Sequence, residues 1–199
     1  MRLKEIRNFS IPVILLTKDS NYEYVKTQLN IDSYVDFWVA ESWVTNNDII
    51  NTRFFWHPDI TDGKINMIFY DLDFAMWNYN NNYFNFMTRP GGMSDLKVST
   101  LLMRNLIKNK EFKQIFLERL SYQLKNVWTE ERVLENIDKI YNLLKPEMER
   151  NQKRWNMTYK EWEDNVELLR KYTRLRRDYI VKHAKSFFGL NNEEVEMYF

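Results

Sequence analysis

The chain has 199 residues, 44% of them hydrophobic and 16% aromatic, which suits one packed domain spanning 1–199 and is too apolar for a disordered chain. Formal net charge is +1, with 29 basic against 28 acidic residues, so the charge balance calls for neither nucleic acid nor an acidic membrane surface as partner. Cysteine is absent, which excludes disulfides, thiolate metal sites and a cysteine nucleophile.

The first ten residues carry Arg2, Lys4, Glu5 and Arg7. The apolar run that follows, Ile11 to Leu16, contains Pro12, is far too short to span a bilayer and lacks a small-residue cleavage region. Neither a signal peptide nor a membrane span is expected. Asp19 or Ser20 can cap a helix from about Asn21 to Leu29, and Asp32 can cap a second one. In that second helix Tyr34, Val35, Phe37, Trp38, Val39 and Trp43 leave little polar surface, so it should lie deep in the core. It ends at Thr45-Asn46-Asn47-Asp48, a run of turn formers.

The period then changes. Thr52 to Trp56 and Ile65 to Tyr70 are aromatic and β-branched, and Pro58, Asp59 and Asp62-Gly63 lie between them; together they predict a β-hairpin. Trp77 to Gly92, rich in Asn and aromatic residues, reads as a long irregular loop. The remainder reads as helix. Val98 to Ile107 marks one element, Phe112 to Leu124 the next, and Thr129-Glu130-Glu131 opens a third. Pro146 fits a first helical turn or a kink. Thr158-Tyr159-Lys160-Glu161 is a capping box for a long helix ending near Phe188, with Gly189 just past its end. The fold class is therefore mainly α with a small β-hairpin.

A hairpin turning near Thr61 and Asp62 puts Asn51 opposite Asp71, and Asp48 lies three residues before Asn51. Asp71 and Asp73 share a face if that stretch stays extended. Such a cluster of carboxylates repels itself unless a cation joins it, and hard oxygen ligands suit Mg²⁺ or Mn²⁺. A further carboxylate beyond the metal can orient or deprotonate a hydroxyl nucleophile. Asp and Asn are also common in turns for local hydrogen-bonding reasons, so the D-x-D pattern alone is weak; the order buried helix, N-x-D, hairpin, D-x-D is more specific.

Asn46-Asn47-Asp48-Ile49-Ile50-Asn51, Phe54-Phe55-Trp56, Gly63-Lys64 and Phe69-Tyr70-Asp71-Leu72-Asp73-Phe74 resemble the spore-coat protein H (CotH) kinase family, as do Ile31-Asp32-Ser33-Tyr34-Val35, Pro146-Glu147 and Arg154-Trp155. The resemblance runs from about Asn21 to Phe188. It implies the C-lobe of an atypical protein-kinase-like domain, with Asp48 as the catalytic-loop aspartate, Asn51 as the metal-binding asparagine and Asp71, with Asp73, as the metal aspartates. It also implies ATP with Mg²⁺ or Mn²⁺ as cofactors, a protein substrate or coat or surface protein as partner, and a spore-coat or cell-surface setting. Asp48 and Asn51 are three residues apart where an ordinary kinase catalytic loop spaces them by five, which brings in Asn47 or Asn46 as substitutes for Asn51. No Gly-rich loop or lysine-bearing strand of an upper ATP-binding lobe is recognisable, so the chain reads as the lower lobe, with an N-terminal lobe as its missing partner.

Other features have plainer readings. His57 fits a solvated turn and His183 a helix surface; Arg170, Lys171, Arg174, Arg176 and Arg177 fit a solvated basic face; Arg53 fits a brace for the acidic cluster. Most tryptophans fit the core, but Trp77, opening the Asn-rich loop, suits a nucleotide base or a partner. Two other functions compete: a kinase-like interaction module that does not catalyse, and a metal-dependent glycosyltransferase using Asp71-Leu72-Asp73. The second lacks the alternating parallel strands and helices expected of that class. Because most of the phosphate grip of a kinase comes from its upper lobe, this chain alone should bind ATP with Mg²⁺ or Mn²⁺ weakly or not at all. Calorimetry checks this, and micromolar or tighter binding would contradict the lower-lobe reading.

Overall fold

The computed structural model describes residues 16–49, 52–93 and 99–199. It is 66% helical, with one two-stranded antiparallel hairpin. Helix α1 (Asp19–Gln28) leads directly into α2 (Ile31–Val44), which is buried along most of its length and forms the axis of the core. The α2 N-cap is Asn30, whose side chain accepts from Ser33 N–H; it sits two residues before the expected Asp32, which belongs to the first turn.

Strands β1 (Arg53–Phe55) and β2 (Asn66–Ile68) pair Arg53 with Ile68, Phe54 with Met67 and Phe55 with Asn66. Both are shorter than their apolar runs. Asp62 (φ 50) and Gly63 (φ 69) make the turn in the left-handed region, where Asp and Gly are tolerated best. β2 is fastened to the α1–α2 junction. Ile65 N–H donates to Gln28 C=O at 2.8 Å, Asn30 N–H donates to Ile65 C=O at 3.0 Å, and Met67 N–H donates to Ser33 Oγ at 2.9 Å. The hairpin is thus a rigid extension of the buried helix, although its own residues are largely exposed.

The Asn-rich segment is not wholly irregular. Asn82 accepts from Asn85 N–H and starts a short helix, α3 (Tyr83–Met87), whose Tyr83, Phe84 and Met87 are buried. Then come α4 (Leu101–Leu106), α5 (Lys110–Asn126) and α6 (Glu130–Leu144), near the expected places. Lys145–Glu147 forms one 3₁₀ turn around Pro146, and α7 (Met148–Trp155) follows it. α8 (Tyr159–Phe188) opens with the Thr158/Glu161 capping box and stops at Gly189 (φ 66). A last helix, α9 (Asn192–Tyr198), has a second capping box, Asn191/Glu194, that the sequence reading passes over. Among the described residues no helix is long and apolar enough to cross a membrane.

The basic stretch of α8 is not a plain solvated face. Arg170 bonds Asp138 of α6 at 3.0 and 2.7 Å, and Lys171 lies over the Tyr79 ring. Arg176 is fully buried. Its Nε donates to Trp43 C=O at 3.0 Å, one Nη to Ser42 C=O, and the other to Tyr79 and Asn81 C=O at 2.7 and 3.0 Å. Ser42 and Trp43 belong to the last turn of α2, whose carbonyls lack partners within the helix and carry the negative end of its dipole. One guanidinium therefore caps α2 and pins the loop before α3. His183 is also half-buried rather than on the surface, and burial, then Arg176 and Lys182, push its pKa down.

Arg176→Met should lower stability by about 3 kcal/mol or more, since four carbonyls lose a charged donor. Arg176→Lys should rescue little, because one ammonium cannot span the same fork. Exposed Arg174→Ala should change stability by no more than ~0.5 kcal/mol. Urea unfolding monitored by tryptophan fluorescence measures all three, and a near-neutral Arg176→Met would refute the staple.

Candidate functional site

Helix α2 stops because Thr45 takes a left-handed conformation (φ 52), and its N–H closes back on Glu41 C=O. The chain then delivers Asn46, Asn47 and Asp48 in sequence: Asn46 is buried, Asn47 exposed and Asp48 half-buried. Ile49 is buried and anchors the far side of the turn.

Asn46 carries the geometry. Its Oδ1 accepts from Asp48 N–H at 2.9 Å, and its Nδ2 donates to Asp71 C=O at 3.4 Å. One buried amide thus ties the turn after α2 to the hairpin exit. Asp48 also lines a crevice of about 10 Å³ whose walls include Glu41, Asn46, Ile68 and Tyr70. Asp48 thus shares this crevice with Ile68 and Tyr70 of the hairpin's second arm.

The D-x-D exit differs from expectation in detail. Asp71 has φ 61, and Ala75 N–H donates to Leu72 C=O at 3.1 Å, so the chain leaves the extended state at the first aspartate. Asp71 and Asp73, both exposed, do not alternate along a strand and share no strand face. Among the described residues no group of three or more Asp, Glu or His side chains gathers closely enough to hold a metal ion. Asn51 lies outside the described residues, and with it the pairing of Asn51 with Asp71. Of its substitutes, Asn46 is spent at both ends of its amide, whereas Asn47 is exposed with its Oδ1 accepting from Asn81 Nδ2 at 3.3 Å.

Trp77 is exposed, and its Nε1 donates to Asp73 C=O at 3.4 Å, which fixes its indole beside the D-x-D turn. Phe54, Phe55, Trp56 and Phe74 are exposed as well. A larger cleft of about 730 Å³ lies between α2, β2 and α5, lined by Asp32, Asp36, Phe37, Phe69, Arg119 and Trp128. Its two aspartates are tied by Arg119, so its chemistry is already satisfied internally.

The sequence reading missed Glu41. It is 1% exposed, and its carboxyl accepts from Tyr83 Oη at 3.4 Å. Burial raises its pKa to about 7 against the pull of the neighbouring Asn46 amide and Tyr83 hydroxyl, and burial with Glu41 beside it holds the Tyr83 phenol well above its ordinary value. The available signal was one acid inside an otherwise apolar run from Phe37 to Val44.

The domain is mainly helical with one two-stranded hairpin, and the Asn46 amide joins the turn after α2 to the hairpin exit. The family described as CotH kinase protein matches residues 3–180, and the chain belongs to it. Comparison with curated proteins and with solved structures gives no match.

Glu41 also sets a pH dependence. Its folded pKa, about 7, lies above the ordinary 4.5, so the native state holds the proton more tightly and stability falls as pH rises from about 4.5 to about 7. Glu41→Gln should remove that slope, gaining ~2–3 kcal/mol on wild type at pH 8 relative to pH 5. Denaturant unfolding at both pH values checks this, and parallel stabilities would show that the carboxyl is not held neutral.

Proposed function

We propose that this chain is the C-lobe of an atypical protein kinase of its family, which in the intact protein transfers the γ-phosphoryl group of ATP to a protein hydroxyl. The observation that carries the reading is the Asn46 amide, which accepts from Asp48 and donates to Asp71 and so holds the two aspartates of the family pattern in one frame. Asp48 orients the attacking hydroxyl and accepts its proton. Asp71 holds a divalent cation, with Asp73 as a second ligand and Asn51 or Asn47 completing the set. Mg²⁺ needs only one or two carboxylates beside water and phosphate oxygens, so two exposed carboxylates fit it without a closed cage. When bound, the cation neutralises charge on the phosphoryl oxygens. Trp77, held by Asp73 C=O, offers an exposed indole to the adenine base or a partner.

A second reading is a kinase-like lobe that binds a coat or surface protein without catalysis. The exposed hairpin aromatics Phe54, Phe55 and Trp56 favour it, since large apolar side chains gathered on one surface element suit a partner.

In the intact protein, Asp71→Ala should abolish phosphoryl transfer and weaken metal-dependent nucleotide binding, and Asp73→Ala should do so less completely. Asp48→Asn should spare binding while slowing transfer. Radiolabelled phosphate transfer, with nucleotide affinity measured in parallel, separates these effects. Near-normal turnover of Asp71→Ala would remove the kinase reading and leave the binding module.

A further inference from the structure

The cleft of about 730 Å³ between α2, β2 and α5 has the size of a ligand site, for which roughly 300–1,000 Å³ is usual. Asp32 and Asp36 lie one turn apart on α2 and so share a face at its rim, where like charges repel. Arg119 of α5 donates to both, to Asp32 at 2.8 Å. That tie accounts for their hydrogen bonds and not for their charge. The charged side chains lining the cleft are two carboxylates and one guanidinium, which leaves one net negative charge. A clamp between α2 and α5 needs only one carboxylate; the second makes the rim attract a cation, and low-dielectric walls strengthen its field.

Those walls are aromatic. Phe69 and Tyr122 are exposed, and Trp128 is half-buried. Two of them are held in place: Phe69 meets Phe37 edge-on at 6.3 Å, and Trp128 stacks on Trp43 at 5.2 Å. Rings beside carboxylates accept the apolar stem and cationic head of Arg or Lys, and leave room for a bulky apolar neighbour. Phe37 lines both this cleft and the crevice that holds Asp48, and Phe69 runs directly into Tyr70 of that crevice, so the two hollows share a wall. We propose that the cleft is a docking groove for an extended basic–apolar segment of a partner protein, its Arg or Lys at Asp32 and Asp36 and its apolar side chain against Phe69, Tyr122 and Trp128. Residues two apart in an extended segment face the same side, which sets the spacing of the two anchors. Under the phosphoryl-transfer reading the partner is the protein substrate, but docking itself does not need that reading.

The test uses the full chain, without metal or nucleotide, and NMR. The probe is a blocked peptide with one arginine followed by leucine two and four residues on and alanine between. It should shift the amides of Asp36, Phe69 and Tyr122 and the Trp128 indole, half-saturating below about 1 mM. A peptide with glutamate in place of arginine should bind at least tenfold more weakly. Asp36→Asn should weaken the arginine peptide about tenfold, and Glu149→Gln, on α7, should leave it unchanged. Arg119→Gln should tighten it about threefold, because the resident cation is gone; α5 keeps its place through buried Phe112, Phe116, Leu117, Leu120 and Leu124. Should either cleft variant lose the wild-type spectrum, the other decides, together with the loss of wild-type binding as salt rises to about 0.5 M. No shift at the cleft, equal binding of the glutamate peptide, or weaker binding by Arg119→Gln overturns the proposal. So do shifts of the same resonances with protein concentration alone, which would put a second copy in the cleft. In the intact protein, Asp36→Asn should raise KM for the protein substrate about tenfold with KM for ATP nearly unchanged. Peptide binding without any phosphoryl transfer by wild type sinks the kinase reading and leaves the groove; transfer without peptide binding does the reverse.

Discussion

The structure depends on how the C-terminal end of α2 is satisfied. A helix buried along its length must end inside the protein, and its last carbonyls then have no water to bond. Arg176 reaches them from α8, some 130 residues later in the chain, and Tyr172, one turn earlier, donates its hydroxyl to Trp43 C=O as well. With those groups satisfied, α2 can stop abruptly at left-handed Thr45, and the next three residues emerge at a defined point. The same guanidinium fixes the carbonyls of Tyr79 and Asn81, so the segment beyond the D-x-D turn is held to the same anchor. The candidate site hangs between these two fixed ends.

Energetically the site is a trade between order and burial. Asn46 and Glu41 are both buried polar groups, tolerable only because each is hydrogen-bonded, Asn46 to Asp48 N–H and Asp71 C=O and Glu41 to the Tyr83 hydroxyl. Asp71 takes a left-handed backbone, which a non-glycine residue adopts at some cost and which Asp tolerates better than most. Asp71 and Asp73 stay exposed at the surface. The arrangement is rigid beneath and accessible above.

Much of this was legible in the sequence because it is local. The Thr158/Glu161 capping box, the Gly189 stop, the apolar stripe of α2 and the two aromatic runs of the hairpin each announce themselves within a few residues. The rest was decided at a distance. Arg176 sits among Arg170, Lys171, Arg174 and Arg177, and nothing nearby says that its partners lie on α2 and before α3. The Asn-rich segment reads as loop by composition, yet Asn82 caps a helix because Tyr83, Phe84 and Met87 have a core to enter. The shared strand face of Asp71 and Asp73 fails for the opposite reason: it assumes an extended backbone at Asp71, where the chain turns instead. Glu41 was hidden by being a single charge in a hydrophobic run, a pattern that becomes meaningful only once Asn46 and Tyr83 are seen beside it.

Under the proposed phosphoryl-transfer function, metal and nucleotide bind at the Asp71–Asp73 exit beside Asp48, and not in the larger cleft carrying Asp32 and Asp36. Paramagnetic relaxation by Mn²⁺ with ATP reads this directly, even for weak binding. The account predicts that amide resonances of Asp71, Leu72 and Asp73 broaden first, followed by Asp48, while those of Asp32 and Asp36 persist. Broadening centred on Asp32 and Asp36, with the D-x-D exit unaffected, would contradict it.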